Sequence, residues 1–125
     1  MRRKSRPILD AAAALALIQD EAGSEVLRPL LPEAVMSSVN LAEVLSKLVR
    51  DGMPASEAAA ALRALHLEVV PFTPADAERS AEYTAKGVSL GDRCFLTAAL
   101  QGEGWTSDRE LAQFVTGAPT LRYFR

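Results

Sequence analysis

Pro7-Ile8-Leu9-Asp10-Ala11-Ala12-Ala13-Ala14-Leu15-Ala16-Leu17-Ile18-Gln19 is the stretch on which the architecture turns. A short apolar lead ends in an acid, and an Ala- and Leu-rich segment of high helical propensity follows. The order strand, acid or polar step, helix recurs downstream. Ala34-Val35-Met36-Ser37 has the character of a buried strand, and Leu41, Val44, Leu45 and Leu48 then fall at helical spacing through residues 39–50. Gly52-Met53-Pro54 turns the chain, Pro54 suits the start of a helix over residues 55–65, and residues 67–70 form a third strand closed by Pro71.

Between the first two units, Gly23 breaks the helix and Ser24 is placed to cap a second short one. After the third strand, Thr73 and Pro74 start a helix over residues 75–83, and residues 89–100 are apolar on nearly every side, as a helix inside a domain should be. Gly102-Glu103-Gly104 is expected to turn, which leaves Trp105-Thr106 as a meagre fourth strand. A short helix over residues 109–114 and a closing strand over residues 120–124 complete the chain. Strands alternating with helices predict an α/β fold with a central, mostly parallel sheet.

With 125 residues, the chain is sized for one domain with a real core. Its hydrophobic fraction of 49% and charged fraction of 24% are those of an ordinary globular protein. The net charge of −2 excludes polyanion binding by bulk electrostatics, so any nucleic-acid contact needs a local basic patch. Cys94 is the single cysteine, which excludes an intramolecular disulfide and a multi-cysteine zinc site, and fits a reducing cytoplasm. Met1-Arg2-Arg3-Lys4 imitates the basic start of a signal peptide, but Asp10 interrupts the apolar stretch and Gln19-Asp20-Glu21 stands where a small-residue cleavage site belongs. No apolar run approaches the roughly 20 residues that span a bilayer. The expectation is a cytoplasmic protein with no membrane segment, a basic leader over residues 1–6 and a single domain over residues 7–125.

Asp10, Glu43, Asp92 and Asp108 each follow a segment that ends a strand or begins a helix. In a parallel sheet the carboxyl ends of all strands share one edge, and ligands bind in the crevice there. Each acid also has a structural explanation. Asp10 can cap the helix from Ala11, Glu43 stands four residues before Lys47, Ser89-Leu90-Gly91-Asp92 matches a capping box, and Asp108 can cap the helix from Arg109. Collectively the balance shifts, because converging carboxylates repel one another unless a cation sits among them. The constellation points to a divalent-metal site.

Ile8-Leu9-Asp10-Ala11, Ser38-Val39-Asn40-Leu41-Ala42-Glu43, Ser89-Leu90-Gly91-Asp92-Arg93 and Thr106-Ser107-Asp108-Arg109 occur in the order used by PIN domains. The chain after its leader resembles that family, and most nearly the VapC-like ribonuclease toxins of type II toxin–antitoxin systems. The resemblance implies a three-layer α/β/α sandwich and a metal-dependent RNA endonuclease, in which a metal-activated water hydrolyses a phosphodiester bond. It implies Mg²⁺ or Mn²⁺ held by Asp10, Glu43, Asp92 and Asp108, with Ser38, Asn40 and Thr106 orienting ligands or water. His66, the only histidine, stands at a helix-to-strand junction and has no part in this chemistry.

The resemblance further implies a homodimer silenced by a cognate antitoxin, whose arm would lie along the helices around residues 39–50 and 55–65. Lys47, Arg50, Lys86, Arg93 and Arg109 are candidates for RNA phosphate contacts, or else solvated surface charges, and Trp105 could stack on a base or pack in the core. Ala12 replaces the hydroxyl residue that relatives often carry two positions after the first acid. That departure and the thin fourth strand motivate an alternative: a catalytically impaired PIN-like module that engages an antitoxin-like partner or RNA. A phosphoacceptor signalling domain would need an acidic pair after the first strand and an acid after the third, where Asp10 stands alone and Pro71-Phe72 follows.

Overall fold

Ile8 and Val35 pack into one hydrophobic core and their neighbours Leu9 and Met36 into another, the period-two alternation of strands with both faces covered. The computed structural model describes residues 5–125. Arg2, Arg3 and Lys4 of the leader lie outside the described residues, and Arg6 is already the first residue of a strand.

The chain order is β1 (Arg6–Leu9), α1 (Ala11–Gln19), α2 (Ser24–Leu27), a 3₁₀ segment (Arg28–Glu33), β2 (Val35–Ser37), α3 (Ser38–Arg50), α4 (Ala55–Arg63) and β3 (Glu68–Val70). It continues through α5 (Pro74–Ser80), a 3₁₀ turn (Ala81–Tyr83), α6 (Leu90–Ala99), β4 (Gly102–Thr106), a second 3₁₀ segment (Arg109–Phe114) and β5 (Thr120–Tyr123). All five strands are parallel, in the order β3-β2-β1-β4-β5. One helical layer, α1, α3 and α4, covers the face of Leu9 and Met36 with Ala13, Leu17, Val44, Leu48 and Leu62. The other is built on α6, whose Phe95, Leu96 and Ala99 cover Ile8 and Val35. The fold is a three-layer α/β/α sandwich, as expected, and its sheet is entirely parallel.

Local chemistry explains most element boundaries. Asp10 caps α1, Ser37 caps α3, and Thr73 and Ser89 each open a reciprocal capping box, with Asp76 and Asp92 respectively. Ser24 does not cap α2. It is the first helical residue after Gly23, and its hydroxyl donates to Asp20 Oδ1 at 3.1 Å. His66 adopts φ 55°, a left-handed conformation that turns α4 into β3, in keeping with a structural role. Among the described residues, no helix is long and apolar enough to cross a membrane.

The main departure is β4. The turn expected at residues 102–104 is instead the first part of a five-residue strand that pairs with β1 on one side and β5 on the other. Its glycines are there for clearance. A Cβ on Gly104 would lie 2.8 Å from Phe95 Cζ and 3.0 Å from both Ala99 Cβ and Leu121 Cδ2, and one on Gly102 would collide with the carbonyl oxygen of Arg6. Trp105 is partly buried against the α1-side core and lines a small cleft with Pro7, Pro29, Leu30 and Pro32. Replacing Gly104 with alanine should overpack this contact and destabilise the fold by about 1–3 kcal/mol. Urea unfolding would show this as a lower midpoint at unchanged slope.

Candidate active site

The chain lays β2 and β3 on one side of β1 and then returns to place β4 on the other. The strand order reverses between β1 and β4, so their carboxyl ends open the crevice in which doubly wound sheets bind ligands. Asp10 directly follows β1, and Thr106 is the last residue of β4. The Asp10 N–H donates to the Trp105 carbonyl at 3.3 Å, which extends the β1–β4 ladder to the rim of the crevice.

Asp10 Oδ1 accepts from the Ala13 N–H at 2.8 Å as the cap of α1. Asp10 keeps some surface toward the crevice but is packed on most sides, and loss of water is the largest influence on its proton affinity. Hydrogen bonding from the Thr106 hydroxyl and the Ala13 N–H opposes this, while the charges of Asp92 and Glu43 reinforce it. The carboxyl is pushed from its ordinary 3.8 up to about 6. The structure therefore gathers Asp10, Asp92 and Glu43 within electrostatic reach of one another.

Each partner is fixed by its helix. Asp92 Oδ2 accepts from the Ser89 N–H at 3.0 Å, and the Asp92 N–H donates to Ser89 Oγ at 3.0 Å, so the capping box holds Asp92 on the first turn of α6. Glu43 does not pair with Lys47, which binds Asp51 at 3.1 Å instead. Its Oε1 accepts from Asn40 Nδ2 at 2.8 Å. Asn40 is 2% exposed, and the same Nδ2 donates to the Gly91 carbonyl at 3.1 Å, bridging α3 to α6.

The remaining candidates are arranged differently. Asp108 is exposed, its Oδ1 accepts from the Glu110 N–H at 3.0 Å, and its own N–H donates to Thr106 Oγ1 at 3.0 Å. It is tied to the site through Thr106, and its charge is not among those acting on Asp10. Ser38 is turned to the β3–α5 loop, where its Oγ accepts from the Phe72 N–H at 3.1 Å. Among the basic candidates, Arg109 stacks on Tyr123 with its guanidinium 4.5 Å from the ring centre. Gly91 lies against one of the acidic candidates, a contact that helical periodicity does not reveal. A Cβ there would fall on the carboxylate of Glu43.

The donor set is all oxygen and suits a hard cation. Gly91 leaves room for the Glu43 carboxylate, and the buried Oδ1 of Asn40 has no hydrogen-bond partner. Among the described residues, however, no three Asp, Glu, His or Cys side chains stand close enough to hold one ion between them. The arrangement fits an ion bound by one or two carboxylates that keeps several waters, as Mg²⁺ does, and not a closed protein cage.

The raised Asp10 has a consequence for the metal-free fold. In the unfolded chain Asp10 ionises near 3.8, whereas in the fold it holds its proton to about 6, so stability is lost as pH rises through that window. The loss is on the order of 3 kcal/mol at most. Asp10→Asn retains a capping side chain and removes the charge. It should raise the melting temperature of the metal-free protein at pH 8, and the gain should vanish near pH 4 in thermal melts.

The fold has solved counterparts. The crystal structure of PAE2754 from Pyrobaculum aerophilum is 19% identical to this chain and superposes with a TM-score of 0.61, covering 94% of this chain and 83% of that one. No curated protein sequence matches. Residues 8–114 match the PIN domain, a span that contains every acid considered above. The chain belongs to the PIN domain family, whose members are generally nucleases that use divalent metal ions.

Proposed function

We propose that this PIN domain is a Mg²⁺- or Mn²⁺-dependent endoribonuclease of the VapC-like toxin type, acting in the cytoplasm and inhibited by a cognate antitoxin. The observation that carries the proposal is the convergence of Asp10, Asp92 and Glu43 at the reversal point of the sheet. A divalent cation bound there would supply charge neutralisation at a phosphate and a water made acidic enough to attack it. Asp10, Glu43 and Asp92 are the candidates to hold the ion, one or two of them directly and the rest through its waters, with Asp108 further out.

The protein's own contribution is placement. The capping box holds Asp92, the α1 cap holds Asp10, and Asn40 holds Glu43. The amino ends of α1 and α6 point partial positive charge at the acids they carry, which tempers their mutual repulsion. Arg93, next to Asp92 on α6, and the exposed Arg50 and Lys86 are candidates for the RNA backbone.

An apolar groove of about 590 Å³ between α3, α4 and β3 supports the partner part of the proposal. Leu41, Leu45, Leu62, Leu67 and Val69 line it, with Arg63 and His66 beside them. Its position is that of the antitoxin arm in the toxin reading, and homodimerisation belongs to the same proposal. The alternative, a module that binds a partner without cleaving RNA, draws support from the absence of a closed three-acid cluster among the described residues.

Calorimetric titration with Mn²⁺ and cleavage of a fluorogenic RNA in Mg²⁺ separate the two. Saturable binding and cleavage are expected from the wild type. Asp92→Asn and Glu43→Gln should each reduce both by more than the roughly 10–100-fold typical of outer-shell partners. Absence of Mn²⁺ binding and of cleavage in a well-folded wild type would overturn the nuclease proposal and leave the binding module.

A further inference from the structure

Glu43 is an exposed residue, and an exposed helical glutamate ordinarily samples several rotamers. This one is seated. Asn40 Nδ2 donates to Glu43 Oε1 and to the Gly91 carbonyl, so its donors are committed. Flipping the amide would set Oδ1 against two acceptors, and the network therefore fixes the orientation shown. The carboxylate itself lies over the backbone of Gly91. The three atoms nearest to a Cβ at that position are Oε2, Cδ and Oε1 of Glu43.

Backbone conformation does not require glycine at position 91. Its backbone is not among those with left-handed φ, and it stands in the first turn of α6, where alanine is the better helix former by about 1 kcal/mol. The three nearest groups that an added Cβ would meet all belong to the far end of one flexible side chain. A structural role and a site role thus predict opposite consequences for the same substitution.

We propose that Gly91 is a positioning residue: its missing side chain makes the first turn of α6 a seat for the Glu43 carboxylate, which Asn40 locks there beside Asp92. The function of the seat rests on the carboxylate-site reading above. Its existence does not, and the two are tested separately.

The test compares wild type, Gly91→Ala, Asn40→Ala and Glu43→Gln, with Gly91→Ala also placed in the Glu43→Gln background. Thermal melting reads the fold, titration with Mn²⁺ alone reads the site, and the ¹⁵N spectrum of the Asn40 side-chain amide reads the seat in metal-free protein. Gly91→Ala is expected to melt at or above wild type, to bind Mn²⁺ at least tenfold more weakly, and to add no further loss in the Glu43→Gln background. The Asn40 amide signals should move in both Gly91→Ala and Glu43→Gln, and Asn40→Ala should reproduce the binding loss.

A Gly91→Ala protein that binds Mn²⁺ like wild type, or whose loss persists undiminished without the Glu43 carboxylate, overturns the inference. So does one that melts well below wild type, since the added methyl has then met something less yielding than a carboxylate. If wild type binds no Mn²⁺, the nuclease proposal loses its support, and the amide spectrum still decides. Unmoved Asn40 signals in Gly91→Ala then overturn the seat, and shifted ones sustain it.

Discussion

The parallel pairing of β1 with β4 is the contact on which the rest depends. It registers Ile8 against Gly104 and Leu9 against Trp105, and it puts the carboxyl ends of both strands side by side. The pairing requires β4 to come close to the Arg6 carbonyl at one point and to Phe95 and Ala99 of α6 at another, which only residues without a side chain permit at positions 102 and 104. Without that clearance β4 could not lie between β1 and β5 under α6, and the crevice that holds Asp10 and Thr106 would not form.

Once the crevice exists, its electrostatics are a contest between burial and organisation. Packing and the neighbouring charges of Asp92 and Glu43 drive Asp10 toward its neutral form, while hydrogen bonds and the amino end of α1 favour the anion. Burial wins in the protein alone. A group of acids held in this balance stores unfavourable charge that a cation would relieve, and the same helix caps that stabilise the fold keep the acids from swinging apart. Fold stability and site geometry are therefore supplied by the same residues: Asp10 and Asp92 are caps and candidate ligands at once.

The helical layers divide the surface by chemistry. Polar groups collect at the carboxyl edge of the sheet, where helix amino ends converge, whereas the outer faces of α3 and α4 beside the edge strand β3 leave an apolar groove. β3 is the least buried strand, paired on one side only, which is why apolar residues such as Val69 remain 40% exposed there. An acidic crevice and an apolar groove both use α3, the first through Asn40 and Glu43 and the second through Leu41 and Leu45.

Sequence alone determined the alternation of elements, because hydrophobic period and cap chemistry are local. Asp10, Thr73 and Ser89 announce helix starts, Leu41, Val44, Leu45 and Leu48 define a helical face, and the order of motifs marks the family. Local signals failed where a residue answers to a distant neighbour. Gly102 and Gly104 have the composition of a turn, yet they form a strand because Arg6, Phe95, Ala99 and Leu121 leave no space for a side chain. Glu43 and Lys47 have ideal spacing for an ion pair, yet Lys47 takes Asp51 and Glu43 takes Asn40, since Asn40 is anchored on α6 across the domain. Which acids meet was likewise a tertiary decision. Strand order brought Asp10, Glu43 and Asp92 within electrostatic reach, turned Ser38 toward Phe72, and left the Asp108 carboxylate on the Glu110 N–H with only its backbone N–H on the Thr106 hydroxyl, because side-chain direction at a strand end is set by the whole sheet and not by the residues beside it.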